Sequence, residues 1–359
     1  MAIPVKNIYH MLSYAWHKLR HGDYARLGHE DFTHLHDLFA AIVDCGLSGL
    51  LRRGLYRAYH ERRETLPLLR GRLDMPATLA ERRARRLRLG CAYDELTENT
   101  LLNRICVTAA HILARHGEVR EETRQRLQRL LPRLTGIEPL SPAAIPWQTM
   151  QLHRGNASYA TLLHICRLFF ASCLPTRDGT VRLAEFLDDQ RMHELYQNFL
   201  LAYFAHEHGP GNADGARLDA VHAPYVAWHL DPSTPPDAFL PTMHTDVVLR
   251  KGERTLIIDA KYYGRSMATH HDQRRLHSAH LYQIYAYVKN HDREKRGATE
   301  GMLLYAGTDE AVTPDSRYSM DGNVISARTL DLNRDFAAIR EDLDAIANSL
   351  NQPPSQHGQ

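Results

Sequence analysis

Lysine is scarce in this chain: of 44 basic residues only Lys6, Lys18, Lys251, Lys261, Lys289 and Lys295 are lysines, and the rest are arginines. Any lysine set among catalytic-type residues therefore stands out. Long apolar runs are missing too, since none approaches the ~20 residues that a membrane-spanning helix needs, and no membrane is expected as a partner. The five cysteines are odd in number and form no C-x-x-C pair, and the segment Met1 to Asn7 lacks the basic start and apolar core of a signal peptide. A reducing cytoplasm is the expected compartment. There is no Gly-Lys dipeptide, hence no Walker A loop, which excludes P-loop nucleotide chemistry from this chain.

What is present fits a globular protein of 359 residues, enough for two domains with separate cores. The net charge of +2 conceals an asymmetry, with 23 basic and 16 acidic residues in 1–150 against 21 and 26 in 151–359. A basic first part can bind nucleic acid or an acidic protein surface. Apolar spacing predicts a first helix capped by Asn7, a second from about Asp31 to Tyr59, a strand in "LPLLRGRLDM", and helices in "ENTLLNRICVTAAHILARHG" and Glu121–Arg133. The three prolines of "GIEPLSPAAIPW" place a domain boundary near residue 150. Beyond it helices are expected near Tyr159–Cys173, over "DQRMHELYQNFLLAYFAHEH", from Asp272 to Asn290 and from Arg334 to Leu350. Strands are expected in "VRLAEFL", in "TDVVLRKGERTLIIDAK" and in "GMLLYAG", with a hairpin through Asp321-Gly322. The alternation argues α/β (α+β): a mainly helical domain with some strands over 1–150, then an α/β domain with a central mixed sheet over 151–359.

The stretch from Thr245 to Lys261 carries the chemistry. Gly252 suits the first central position of a two-residue type II′ hairpin, which sets Lys251 opposite Arg254 and, continuing outward, Asp246 opposite Asp259 with Cβ atoms roughly 4.5–5.5 Å apart. Opposed carboxylates repel, so the arrangement calls for a divalent cation between them. Two aspartates and the Ala260 backbone carbonyl make the incomplete oxygen shell that Mg2+ accepts, with Mn2+ as the alternative. Lys261 projects from the same face as Asp259, where an ammonium can orient water or neutralise a phosphate. The expected chemistry is metal-assisted phosphodiester hydrolysis. The histidine pairs His34-x-His36, His206-x-His208 and His270-His271 have no cysteine or acidic neighbour that completes a zinc set, and no zinc is expected.

Asp246 with Asp259-Ala260-Lys261 at the end of an apolar strand resembles the PD-(D/E)xK nuclease signature, with Thr245 where that name has proline. The resemblance extends further: "IPVKNIYHMLSYAW", "LRRGL", "GRLD", "DELTENTLLNRI", "MHELYQNFL" and "TDVVLRKGERTLIIDAKYYG" together are similar to the McrC family, nuclease subunits of modified-cytosine-dependent McrBC restriction systems. It implies a restriction-endonuclease-like fold in the second domain, and a first domain that docks an McrB-type AAA+ GTPase ring. The resemblance further implies that the partner binds GTP, recognises 5-methylcytosine in double-stranded DNA and is stimulated by this chain. Asp246, Asp259 and Lys261 fall on the family's catalytic positions. A glutamate that many of its members carry on the first core helix is Gln197 here, with Glu194 one turn earlier as the other candidate for the metal. Gln283 and Tyr287 match the Q-x-x-x-Y helix of RecB-like relatives. Two other readings stand beside this one: an activating subunit with a vestigial nuclease site, and a self-sufficient repair-type nuclease.

Overall fold

A computed structural model of the chain describes residues 3–16, 19, 24, 27–28, 30–175, 181–183, 189–212, 216–231, 233, 239–262, 267–270, 273–307 and 313–351. The chain forms two compact units, one made of Met1–Phe32 with Glu185–Gln359, the other of Thr33–Ala184. The boundary expected near residue 150 therefore lies near 184, and the first residues belong with the second half. The proline-rich segment is no linker: Ile137 and Ile145 are buried within the middle unit.

The reason for the second shift lies in α1 (Val5–Ala15). Asn7 does not cap it. It sits inside the helix, 4% exposed, and its amide donates to the carbonyls of Leu332 and Arg334 at 2.7 and 2.8 Å. Tyr14, two turns on, packs against Phe199 and Tyr203 with ring centroids 5.7 and 5.0 Å away, and its hydroxyl donates to Glu207.

In the middle unit, α2 (Leu35–Arg53) ends at Gly54, whose φ of +91° breaks the helix, so Tyr59 falls instead in the strand β1 (Ala58–Leu66). β1 pairs with β3 (Leu89–Thr97), which also pairs with the two-residue β2 (Arg72–Leu73); of the strand expected in "LPLLRGRLDM" only Leu66, at the end of β1, and β2 form. Between β2 and β3 lies α3 (Met75–Arg83), capped by Asp74 accepting from Ala77 N–H. Helices α4 (Leu101–Leu113), α5 (Glu121–Leu130) and α6 (Ala160–Ala171) follow, with Phe169 of α6 edge-on to Phe39 of α2. A short antiparallel pair, β4 (Cys173–Pro175) and β5 (Val181–Leu183), ends the unit.

The other unit continues with α7 (Asp189–His208), β6 (Ala220–His222), the small pair β7 (Tyr225–Val226) and β8 (Met243–His244), then β9 (Val247–Lys251) and β10 (Arg254–Lys261). β11 (Met267–His270) and β12 (Gln273–Leu276) form a hairpin, so the helix expected from Asp272 starts only at Ser278, as α8 (Ser278–His291). β13 (Thr299–Ala306), β14 (Ser316–Met320), β15 (Asn323–Leu330) and α9 (Phe336–Ser349) complete it. The central sheet has the order β14-β15-β13-β10-β9-β6, and it is mixed as expected, β10, β13 and β15 being parallel and the outer pairs antiparallel.

β10 is buried on both faces, which is why Leu256, Ile257 and Ile258 read as one apolar run. On one face Ile257, Leu303, Ile325 and Ala327 meet Ile284 and Tyr287 of α8. That contact is close enough to require glycine at 301, where a Cβ would stand 2.8 Å from Ile284 Cγ1 and from Val288 Cγ2. Asn7→Ala leaves two carbonyls without their donor and is expected to lower unfolding free energy by about 2 kcal/mol, measured by urea denaturation of the full chain. A loss below about 0.5 kcal/mol would mean that α1 does not anchor this unit.

Candidate active site

The hairpin forms with the expected register: Lys251 faces Arg254, Val248 faces Ile257 and Val247 faces Ile258. Gly252 adopts φ +57°, the positive value that a type II′ turn requires at its first central residue. Strand pairing then stops one step before the aspartates. Asp246 lies at a bend rather than in the ladder. Its carboxylate turns onto the neighbouring strand, where Oδ2 accepts the Ala260 N–H at 2.8 Å. This is a correction to the simple cross-strand pair. Two opposed carboxylates in a ladder would meet without a donor between them, whereas the bend supplies one. Thr245 pins the bend from outside, its hydroxyl donating to the Pro224 carbonyl at 2.8 Å.

Asp259 and Lys261 stay in β10 on the face that α8 covers, 1% and 5% exposed. Lys261 Nζ lies 2.7 Å from Asp259 Oδ2 and donates to Gln283 Oε1 at 2.9 Å. Gln283 in turn donates to the Tyr287 hydroxyl at 2.7 Å, which donates to the His244 carbonyl at 2.9 Å. The i,i+4 pair on α8 thus holds the lysine and ties it to the strand leading into Asp246. Tyr282 and Tyr285 of the same helix point elsewhere, 70% and 36% exposed. Burial pushes the Tyr287 phenol above its ordinary value, and the nearby aspartates add to that shift.

α7 closes the other side. Gln197 Nε2 donates to Asp246 Oδ1 at 2.9 Å, whereas Glu194 is exposed. Of the two alternatives on this helix, Gln197 is the one at the site. Two histidines that the sequence reading passed over also belong here. His193, four residues before Gln197, has its Nε2 2.9 Å from the Gln197 amide and its Nδ1 3.4 Å from the Tyr262 N–H. His280, one turn before Gln283, has its Nδ1 3.0 Å from the Tyr305 hydroxyl, and burial together with the Lys261 charge lowers it to about 4. Helical spacing from Gln197 and Gln283 is the signal that would have found both.

Burial dominates the electrostatics of Asp259. It raises the carboxyl from 3.8 to about 7, with the Asp246 charge adding to the rise and Lys261 opposing it. Asp259 Oδ2 is buried, with the Lys261 ammonium against it at 2.7 Å. Two carboxylates brought together with a single ammonium fit a hard divalent cation: Asp246 and Asp259 would hold it, and the amide of Gln197 would steady Asp246.

A family model described as McrBC 5-methylcytosine restriction system component matches residues 5–306. The chain belongs to this McrBC family. The type IV methyl-directed restriction enzyme EcoKMcrBC of Escherichia coli (strain K12) is 29% identical over 346 residues, which cover 95% of this chain and 96% of that one. Among solved structures, a half-complex from the tetradecameric assembly of Thermococcus gammatolerans McrB AAA+ hexamers with bound McrC matches with a TM-score of 0.52 and 20% identity. The match covers 96% of this chain and 76% of that one, and it shows a shared fold. No helix among the described residues is long and apolar enough to cross a membrane. The McrBC match runs from α1 through β13, so it takes in the whole middle unit and the Asp246–Lys261 site together.

The raised Asp259 carboxyl sets a pH dependence. Between about 4 and about 7 the folded chain retains a proton there that the unfolded chain has released, so without divalent cation its stability falls as pH rises through that window. Asp259→Asn is expected to flatten this slope by up to about 1.4 kcal/mol per pH unit, measured by denaturant melts from pH 4 to 8 in chelator. An unchanged slope would mean that Asp259 ionises normally.

Proposed function

We propose that the chain is the endonuclease subunit of a modification-dependent restriction complex, hydrolysing phosphodiesters of double-stranded, 5-methylcytosine-containing DNA with Mg2+. The observation that carries this reading is the convergence of Asp246, Asp259 and Lys261 in a buried cluster, two carboxylates with a single ammonium 2.7 Å from Asp259 Oδ2. Asp246 and Asp259, with the Ala260 carbonyl, are the residues to hold the cation. When bound, the ion supplies positive charge against the phosphate and lowers the pKa of water. Lys261 is held by Asp259 and Gln283 so that its ammonium stays within the cluster rather than in solvent, where it can orient the attacking water or neutralise charge on the phosphate. Gln283 and Tyr287 act through Lys261, and Gln197 through Asp246.

The partner in this reading is an McrB-type AAA+ GTPase ring that binds the GTP and whose hydrolysis this chain stimulates. Support comes from the McrBC family match and from the Thermococcus gammatolerans assembly, in which McrB hexamers carry bound McrC. The middle unit is the docking candidate. Its small sheet, α3 and the connections between them expose Tyr59, Leu68, Leu69, Met75, Leu87 and Leu96, each by more than 45%, and the same stretch carries the arginine run from Arg82 to Arg88. Apolar side chains this exposed and this close in sequence are what a protein interface covers.

An activating subunit with a vestigial nuclease site is the competing reading, favoured by the neutral Gln197 beside Asp246. Reconstitution with an AAA+ GTPase encoded beside this chain separates the two. With GTP and Mg2+, methylated DNA is expected to be cut and unmethylated DNA left intact, and Asp259→Ala should lower cutting at least about 1,000-fold while GTPase stimulation persists. GTPase stimulation without cutting by the wild type would favour the vestigial site. Cutting by the chain alone, without partner or GTP, would favour a self-sufficient nuclease.

A further inference from the structure

A second cluster of metal-ligating side chains lies in the middle unit, apart from the nuclease chemistry. His36 is the second residue of α2 and is 2% exposed. Its Nδ1 stands 2.6 Å from Glu118 Oε2, and its ring centroid lies 4.6 Å from that of His116 at an interplanar angle of 43°. One ligating atom from each of the three residues falls within 4.8 Å of the others. The other ring nitrogen of His36, Nε2, is buried and has no hydrogen-bond partner. Glu118 meets Nδ1, and an ion shared by His36 and Glu118 would take that same nitrogen in place of the proton between them. The cluster is not visible as a motif, because His36 and His116 are 80 positions apart and the nearby His34 is not part of it.

We propose that His36, His116 and Glu118 form a zinc site that fastens the loop after α4 to the start of α2. Two imidazoles and one carboxylate are a borderline-soft donor set that suits Zn2+ better than Mg2+, and three protein ligands leave a fourth position for water. The donors do not depend on the ion for their assembly. Asp37, fully buried beside His36, forms an ion pair with the Arg120 guanidinium and accepts the Arg120 N–H at 3.2 Å, while Val119, the residue after Glu118, is buried. The loop is therefore already held against the helix. The Glu118 side chain is 40% exposed, which leaves an entry path from solvent.

This site is independent of Asp246 and Asp259, and its test keeps the two apart. The full chain, free of any histidine tag, is stripped with chelator, incubated with Zn2+, passed over a desalting column and assayed for metal by mass spectrometry. One zinc per chain is expected in the wild type and in Asp246→Asn. Glu118→Gln and His116→Ala should each bind zinc at least about 10-fold more weakly in competition with a chromogenic chelator, with unchanged far-UV circular dichroism. Zinc bound equally by wild type and both variants, or none retained by the wild type, overturns the site.

Discussion

The ion pair between Asp259 and Lys261 is the constraint around which the unit with the six-stranded sheet is built. Both groups are nearly inaccessible, on a strand that is otherwise apolar, and taking two charges out of water is repaid only by close contact and further hydrogen bonds. Lys261 obtains its second partner from Gln283. Asp259 instead meets the second carboxylate of Asp246, and that like-charge neighbour is the feature that turns a buried ion pair into a candidate cation site.

The surrounding elements read as supports for that cluster. α8 can deliver Gln283 and Tyr287 only because Gly301 lets it approach the sheet, and Tyr287 returns the network to the strand preceding Asp246. α7 brings Gln197 to Asp246, and the same helix carries Phe199 and Tyr203, against which α1 packs. Residues at the start of the chain are thus coupled through packing to a helix that lines the site.

The parts of this arrangement legible in the sequence are those where local signals agree. An apolar run on each side of Lys251-Gly252-Glu253-Arg254 fixed strand, turn and register together, and "DQRMHELYQNFLLAYFAHEH" coincides with α7 as formed. β1 was not legible, because "AYHERRETL" is mostly exposed and carries no apolar alternation; its order comes from pairing with β3. The role of Asn7 is hidden for a related reason. A polar residue near a helix start looks like a cap, and only the distant carbonyls of Leu332 and Arg334 reveal that it is a tertiary anchor. The bend at Asp246 belongs to the same class, since periodicity extends a strand until a tertiary donor, here Ala260 N–H, redirects the side chain.

The central claim is that Asp246 and Asp259 hold one divalent cation between them. Iron-directed hydroxyl-radical cleavage tests it most directly: Fe2+ and ascorbate are added to the full chain and the sites of backbone scission are mapped. The account predicts cuts beside residues 246 and 259–261, suppressed by excess Mg2+ and absent from Asp246→Asn. A chain left uncut at both positions, or cut there equally in Asp246→Asn, would contradict it.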